Sequence, residues 1–334
     1  MIAVQEPNVH RLRDDVVAAS LVLDAIERAL GRRPAALVPH ETQAPRLVSE
    51  ARFDSGASVI FKAEHDTRGD DAIALEAWAL DAVARLGVPV PRVLASDFTS
   101  THFPGKYVIL EKVAGRPIPP VFRAPAPDEV VLAPEALDAV LRDVGRHLRA
   151  IHSIRVGGYG RLDDARYQRT GEVRGRSTSW ADVTLSAARL ALDALAALDA
   201  LPVASISILR DLFDSTPDLA VCEDPRLLHG DLGAKHIFVD SATGTLTSII
   251  DFGDREAGDP AWDLANFSLW EDDERLESLL AGYSDVTWEM RRRIAAYGVV
   301  RAMTLAHRRI AQGRRDDAQP VLARLISMLA GERL

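Results

Sequence analysis

The chain has 334 residues, 40 Lys and Arg against 49 Asp and Glu for a formal net charge of −9, and 47% apolar residues. That length suits about two domains and that mix excludes global disorder, while the acidic balance argues against a broad nucleic-acid-binding surface, so no nucleic acid is expected as a partner. The single cysteine, Cys222, excludes an internal disulfide and gives no sign of an oxidising compartment.

The first 30 residues read as an amphipathic helix carrying Val16, Val17, Leu21, Leu23, Ile26 and Leu30 and stopping at Gly31. Asp24, Glu27 and Arg28 interrupt its apolar part, so it does not read as a signal-peptide core. No other segment reads as long and uncharged enough to span a bilayer; no membrane partner is expected, and the expected location is cytoplasmic. Two β-like runs, 46–53 and 57–63, flank the turn Asp54-Ser55-Gly56 and predict a hairpin. A helix follows, opened by Asp70 and Asp71, spaced by Ile73, Ala77, Leu80 and Ala84, and stopped by Gly87 and Pro89. Residues 107–110, Tyr-Val-Ile-Leu, predict a buried strand.

Between 115 and 134 lie Pro117, Pro119, Pro120, Pro125, Pro127 and Pro134. Proline lacks the N–H that a ladder needs, so this stretch predicts a connector, with the domain boundary just before it. The expected domains are 1–112, a small β-rich part, and 113–334, mostly helical. In the latter Leu137, Leu141, Val144, Leu148 and Ile151 mark a core-facing helix, and 180–201 another. A hairpin of 236–240 and 246–251 interrupts the helices, which resume at Asp259-Pro260 as an N-cap and first helical proline. The expected fold class is α+β and bilobal, with a cleft between the lobes as the ligand site. No coiled-coil or extended apolar signal demands an oligomer, which leaves a monomer or a homodimer.

The informative segment is Leu227-Leu228-His229-Gly230-Asp231-Leu232-Gly233-Ala234-Lys235-His236, followed by Ile249-Ile250-Asp251-Phe252-Gly253. Asp231 and Asp251 each end an apolar β-like run, and a carboxylate beside a buried strand needs a cation, a donor or a metal. Taken singly, Asp231 reads equally well as a loop cap and Asp251 as a turn residue. Together, His-Gly-Asp, a polar residue five positions on, and a hairpin ending in Asp-Phe-Gly resemble the catalytic and metal loops of the protein-kinase fold. The glycine at 230 and the later Gly258-Asp259-Pro260-Ala261-Trp262-Asp263-Leu264-Ala265 resemble the aminoglycoside phosphotransferase family. The resemblance runs in order from about Arg46 to Ala265, roughly two thirds of the chain.

A check comes from the N-terminal part. Lys62 lies on a predicted strand, and Glu76 lies three residues after Ile73 and four before Leu80, on the apolar face of the following helix. A glutamate there is costly unless paired; the alternative is a side chain that snorkels at the helix margin. The resemblance implies a pair in which Lys62 grips nucleotide phosphates and Glu76 steadies it.

It further implies a small-molecule kinase with Mg2+ and ATP or GTP as donor. Asp231 would take the proton of an acceptor hydroxyl, Asp251 would hold the metal, and the backbone from Glu111 to Val113 would bind the purine. His229 would support its loop, Asp259 would cap a helix and Asp263 would brace. The acceptor would be a small molecule, plausibly an aminoglycoside-type or macrolide-type antibiotic. Two departures stand out. His236 occupies the family's usual asparagine position as second metal ligand, an exchange also found in macrolide phosphotransferases. The expected phosphate-covering loop, 39–46, lacks glycine, so the expectation is either a looser covering or one made by the Thr42 and Arg46 side chains.

Other residues read more plainly. His147, His152 and His307 predict helix-surface or satisfied core positions; Trp180, Trp262 and Trp270 predict helix packing, with the acceptor pocket as an alternative for Trp180. Glu271-Asp272-Asp273-Glu274 predicts a solvated helix face or, alternatively, a lure for a cationic acceptor. Competing functions are a metallohydrolase built on His229, Asp231, His236 and Asp251, which leaves Lys62 and Glu76 unexplained, and a nucleotide-binding pseudokinase.

Overall fold

The computed structural model describes residues 9–40, 46–64 and 73–331. They divide into two units, one from residues 1–82 and 91–113 and the other from 83–90 and 114–334.

The first unit holds α1 (Val9–Leu30), β1 (Ala36–Pro39), β2 (Arg46–Arg52), β3 (Ser58–Glu64), α2 (Ile73–Ala84), β4 (Val93–Asp97) and β5 (Lys106–Glu111). Its strands form one antiparallel sheet in the order β1-β2-β3-β5-β4. Strand alternation assigns the two faces of β3. Val59, Phe61 and Ala63 are buried in a cluster with Val22, Ala25 and Ile26 of α1 and with Phe103 and Tyr107. Phe61 stacks on Tyr107 at 5.1 Å between ring centroids. Lys62, one residue on, belongs to the opposite face. The hairpin and the buried strand predicted around 107–110 are both present. Asp70 and Asp71 lie outside the described residues.

The second unit begins with β6 (Arg116–Pro117), α3 (Pro134–Ile151), β7 (Tyr159–Leu162), α4 (Asp164–Thr170) and β8 (Gly175–Ser177). Then come α5 (Ala187–Ala197), α6 (Val203–Ser215), β9 (Arg226–Leu228), β10 (Ile237–Val239), β11 (Leu246–Ile249) and β12 (Glu256–Gly258), and finally α7 (Ala261–Trp270), α8 (Asp273–Tyr283), α9 (Trp288–Ala311) and α10 (Arg315–Leu329). The architecture is α+β, an antiparallel sheet unit followed by a largely helical one, as expected.

Three details differ from expectation. The proline-rich connector supplies β6, which pairs at the edge of β10 with Pro117 opposite Phe238; an edge position tolerates the missing donor. The helix predicted over 180–201 opens with a π-helical turn, Asp182–Ser186, where Thr184 Oγ1 donates to the carbonyls of Trp180 and Leu219. A four-stranded sheet, β8-β7-β12-β9, is built from strands of three or four residues. These are too short to display a period of two in sequence. Among the described residues no helix is long and apolar enough to cross a membrane.

Helix α3 buries Val140, Leu141, Val144, Leu148 and Ile151. It meets α8 at two glycines: a Cβ on Gly145 would strike the Leu279 carbonyl, and one on Gly282 the Arg142 carbonyl. This backbone approach fixes the end of α3, from which His152 reaches the site described next. Gly282→Ala should therefore cost about 1–3 kcal/mol by overpacking. Gly157→Ala, with open space around it, should stay within about 0.5 kcal/mol. Urea denaturation midpoints compare the two.

Candidate active site

In the first unit, Lys62 Nζ donates to Glu76 Oε1 at 2.7 Å, with side chains 18% and 4% exposed. Glu76 lies on a helix buried on nearly all sides. The β3 lysine meets it there, which is the pairing the resemblance implies. At the end of β5, the Glu111 amide donates to the Arg92 carbonyl at 2.9 Å and its carboxylate accepts from Arg92 Nε at 2.8 Å. That amide is engaged within the sheet. Val113 is half-buried, at the end of this unit. Arg46 opens β2 opposite Glu64; Thr42 lies outside the described residues.

In the second unit, β9 delivers the His229-Gly230-Asp231 loop. Gly230 has φ of 86°, and any Cβ there would collide with the Asp254 carbonyl, so the loop lies directly against the segment after Asp251. Fully buried Asp263, in the first turn of α7, accepts from the amides of His229 at 2.6 Å and Gly230 at 2.8 Å. Its Oδ2 also meets His152 Nε2 at 3.1 Å. Burial alone would push this carboxyl up, but the His152 bond, the nearby histidines and the Gly230 amide outweigh it and hold the pKa below the usual aspartate value.

The His229 side chain is a strut. Its Nε2 faces the Ile250 carbonyl at 3.0 Å, and a carbonyl can only accept, so Nε2 carries the hydrogen. Nδ1 then accepts from the Asp231 amide at 3.3 Å, and the ring packs on Phe252 with centroids 4.6 Å apart. Asp231 itself is 30% exposed, with Lys235 Nζ at 3.1 Å from Oδ2.

His236 joins the two aspartate segments. Its Nδ1 donates to the Asp231 carbonyl at 2.8 Å, and its Nε2 lies 3.4 Å from Asp251 Oδ2. Burial pushes this imidazole down to about 4 against the pull of Asp251, so it is neutral at pH 7. With Nδ1 committed to a carbonyl, Nε2 presents a lone pair to a carboxylate oxygen. Two acceptors facing each other are stabilised by a cation between or beside them, so this donor set fits a divalent metal. Among the described residues no three His, Cys, Asp or Glu side chains cluster as ligands, so a divalent ion here would draw its remaining ligands from water or substrate oxygens. Asp251 has left-handed backbone, φ 69° and ψ 65°.

A model of the phosphotransferase enzyme family matches residues 23–297. The chain belongs to that family. Membership makes it a phosphotransferase. Its fold is similar to that of a thermostable mutant of aminoglycoside phosphotransferase APH(4)-Ia in ternary complex with ADP and hygromycin B, at 18% identity, a TM-score of 0.65, and coverage of 92% of this chain and 98% of that one. It is also similar to apo macrolide 2'-phosphotransferase MphH from Brachybacterium faecium, at 20% identity, a TM-score of 0.58, and coverage of 92% and 97% respectively.

Around the loops of the phosphotransferase stand residues that sequence reasoning passed over. Arg301 donates to the Gly230 carbonyl at 2.7 Å and to Asn266 Oδ1, and lies over the Trp262 ring at 4.8 Å. Asn266 Nδ2 donates in turn to the Leu232 carbonyl at 2.9 Å. Neither position carries a sequence signal, because each holds a backbone carbonyl and the two meet only through a neutral amide 35 residues away. Glu271 corrects an expectation: it is 1% exposed rather than on a solvated face. It accepts from the Ala234 amide at 3.2 Å and from Arg275 at 2.7 Å, and burial pushes its carboxyl up to about 7. Asp272 caps α8. Asp259 Oδ1 accepts from the Ala261 amide at 2.9 Å at the start of α7, where Pro260 rather than Asp259 is the N-cap residue. His152 and Trp180 are satisfied core residues, the latter through its indole bond to Tyr297 at 2.9 Å. Burial pushes the Cys222 thiol up to about 12, which makes it inert at neutral pH.

Asp263→Asn turns an amide donor toward two N–H groups and should cost about 3 kcal/mol at pH 7. Because the folded carboxyl titrates below its unfolded value, its contribution is present above about pH 4 and lost as pH falls through the folded value. The stability gap between wild type and variant should therefore narrow below about pH 4, read from denaturant titrations across pH.

Proposed function

We propose that this phosphotransferase moves the γ-phosphate of a nucleoside triphosphate, ATP or GTP, to a hydroxyl of a small molecule. The observation that carries the reading is the His236 link, with one ring nitrogen on the Asp231 backbone and the other toward the Asp251 carboxylate. That link supports reading Asp231 as base and Asp251 as metal ligand, held together by one buried ring. The transferring group is highly charged, so catalysis needs positioning and charge neutralisation more than covalent chemistry.

Asp231, one-third exposed, is the group that orients the acceptor hydroxyl and takes its proton. Lys62, held by Glu76, contacts the nucleotide phosphates, and a lysine fixed by a buried carboxylate does so without first losing side-chain freedom. Asp251 and His236 hold Mg2+, which when bound neutralises phosphate charge. The purine contacts fall to the carbonyl of Glu111 and to Val113, since the Glu111 amide is already taken. Thr42 and Arg46 remain the proposed phosphate-covering side chains. The relatives of known structure that hold hygromycin B or act on macrolides favour an antibiotic acceptor.

The test is nucleotide consumption with ATP and with GTP over antibiotic and metabolite panels. Asp231→Asn should lower transfer by at least about 100-fold while leaving nucleotide affinity intact. Normal turnover by that variant would remove Asp231 as base. Lys62→Ala should raise the nucleotide KM by about tenfold or more; unchanged turnover there would point instead to a metallohydrolase. Nucleotide binding with no transfer to any acceptor would favour a pseudokinase.

A further inference from the structure

Arg255 and Asp164 form an ion pair that the reaction as described does not use. Arg255 Nη2 lies 2.7 Å from Asp164 Oδ2, and the side chains are 3% and 1% exposed. The same guanidinium donates through Nη1 to the Gly253 carbonyl at 2.8 Å and approaches the Phe252 carbonyl at 3.4 Å. These two carbonyls belong to the short 3-10 turn Phe252–Asp254, whose N-cap is Asp251.

The local fold explains how the pair is delivered. β7 and β12 run antiparallel, with Glu256 opposite Arg161. Asp164 follows β7 in the first turn of α4, and Arg255 immediately precedes β12. A second ion pair, Arg161 to Asp254 at 3.1 Å, crosses the same strands nearer the surface. The turn after Asp251 is thus gripped from two sides. Its far end, the Asp254 carbonyl, abuts Gly230, so any displacement is passed to the Asp231 loop.

Energetics argue for a positioning role. A buried ion pair contributes little net stability relative to well-packed apolar residues of the same size. Left-handed backbone at a non-glycine residue is disfavoured and persists where surroundings impose it. What Arg255 supplies, and an apolar residue would not, is a forked donor that ties carbonyls of the turn to a fixed carboxylate. We propose that Asp164 and Arg255 are positioning residues that hold the turn carrying Asp251 in its metal-binding geometry; the inference rests on the proposed role of Asp251.

The decisive variant is the double replacement Asp164→Leu with Arg255→Met, which removes both charges together and so avoids an orphaned one. Its Tm should remain within a few degrees of wild type. Affinity for ATP in the presence of Mg2+ should fall by about tenfold or more, as for other groups that orient metal ligands, while affinity in EDTA stays unchanged. In the metal-free protein, hydrogen exchange at the amides of 251–254 should accelerate. Arg255→Lys retains the charge but not the fork, and should give a smaller loss in the same direction; it carries the test should the double variant not fold. Wild-type Mg2+-dependent affinity and wild-type exchange in the variants would overturn the inference alone. A wild-type protein that binds neither ATP nor GTP in a Mg2+-dependent way would instead overturn the nucleotide reading and this inference with it.

Discussion

The order of the second unit's loops depends on one fully buried carboxylate. Asp263 draws two consecutive backbone amides, those of His229 and Gly230, onto the first turn of α7. A loop leaving a three-residue strand has few ladder bonds of its own, so without this acceptor its donors would be buried and unpaired. Once the amides are fixed, the direction in which the chain leaves for Asp231 is fixed too. The His229 ring extends the constraint to the Ile250 carbonyl, one residue before Asp251. One carboxylate and one imidazole thereby connect three segments that are far apart in sequence.

Arginine carries much of the remaining order, and it does so through main-chain oxygens. Arg301 holds the Gly230 carbonyl, Arg255 the Gly253 carbonyl, and Arg275 the Pro119 carbonyl while paired with buried Glu271. A rigid fork with several donors suits this work, since one group can satisfy a carboxylate and a carbonyl at once. Loops in such a setting are shaped from outside rather than by their own turn propensities.

This explains what the sequence made legible. Glu76 was readable because an acid on an apolar helical stripe demands a partner, and Lys62 because the resemblance pairs a strand-borne lysine with such an acid. Asp231 and Asp251 stood out after apolar runs, but each read equally well as a cap or a turn residue until the motif resemblance joined them. Glu271 was not readable, because four consecutive acidic residues look alike in sequence while only the first points inward. Asn266 and Arg301 meet each other through a neutral amide and otherwise bind backbone, which leaves no complementary charge to notice. The short strands β7, β8, β9 and β12 escaped because three or four residues cannot establish a period, and β6 because its proline is acceptable only at a sheet edge, a fact of topology.

The alternation in β3 places an aromatic contact and an ion pair on successive residues: Phe61 packs with Tyr107 and α1, and Lys62 meets Glu76. Inserting one residue ahead of them would exchange the two faces, driving an ammonium group among aromatic rings while turning a phenyl ring toward a buried carboxylate. Both errors are penalised at once, so length changes in this hairpin are tolerable only in its Asp54-Ser55-Gly56 tip, where added residues leave the parity of the strand intact.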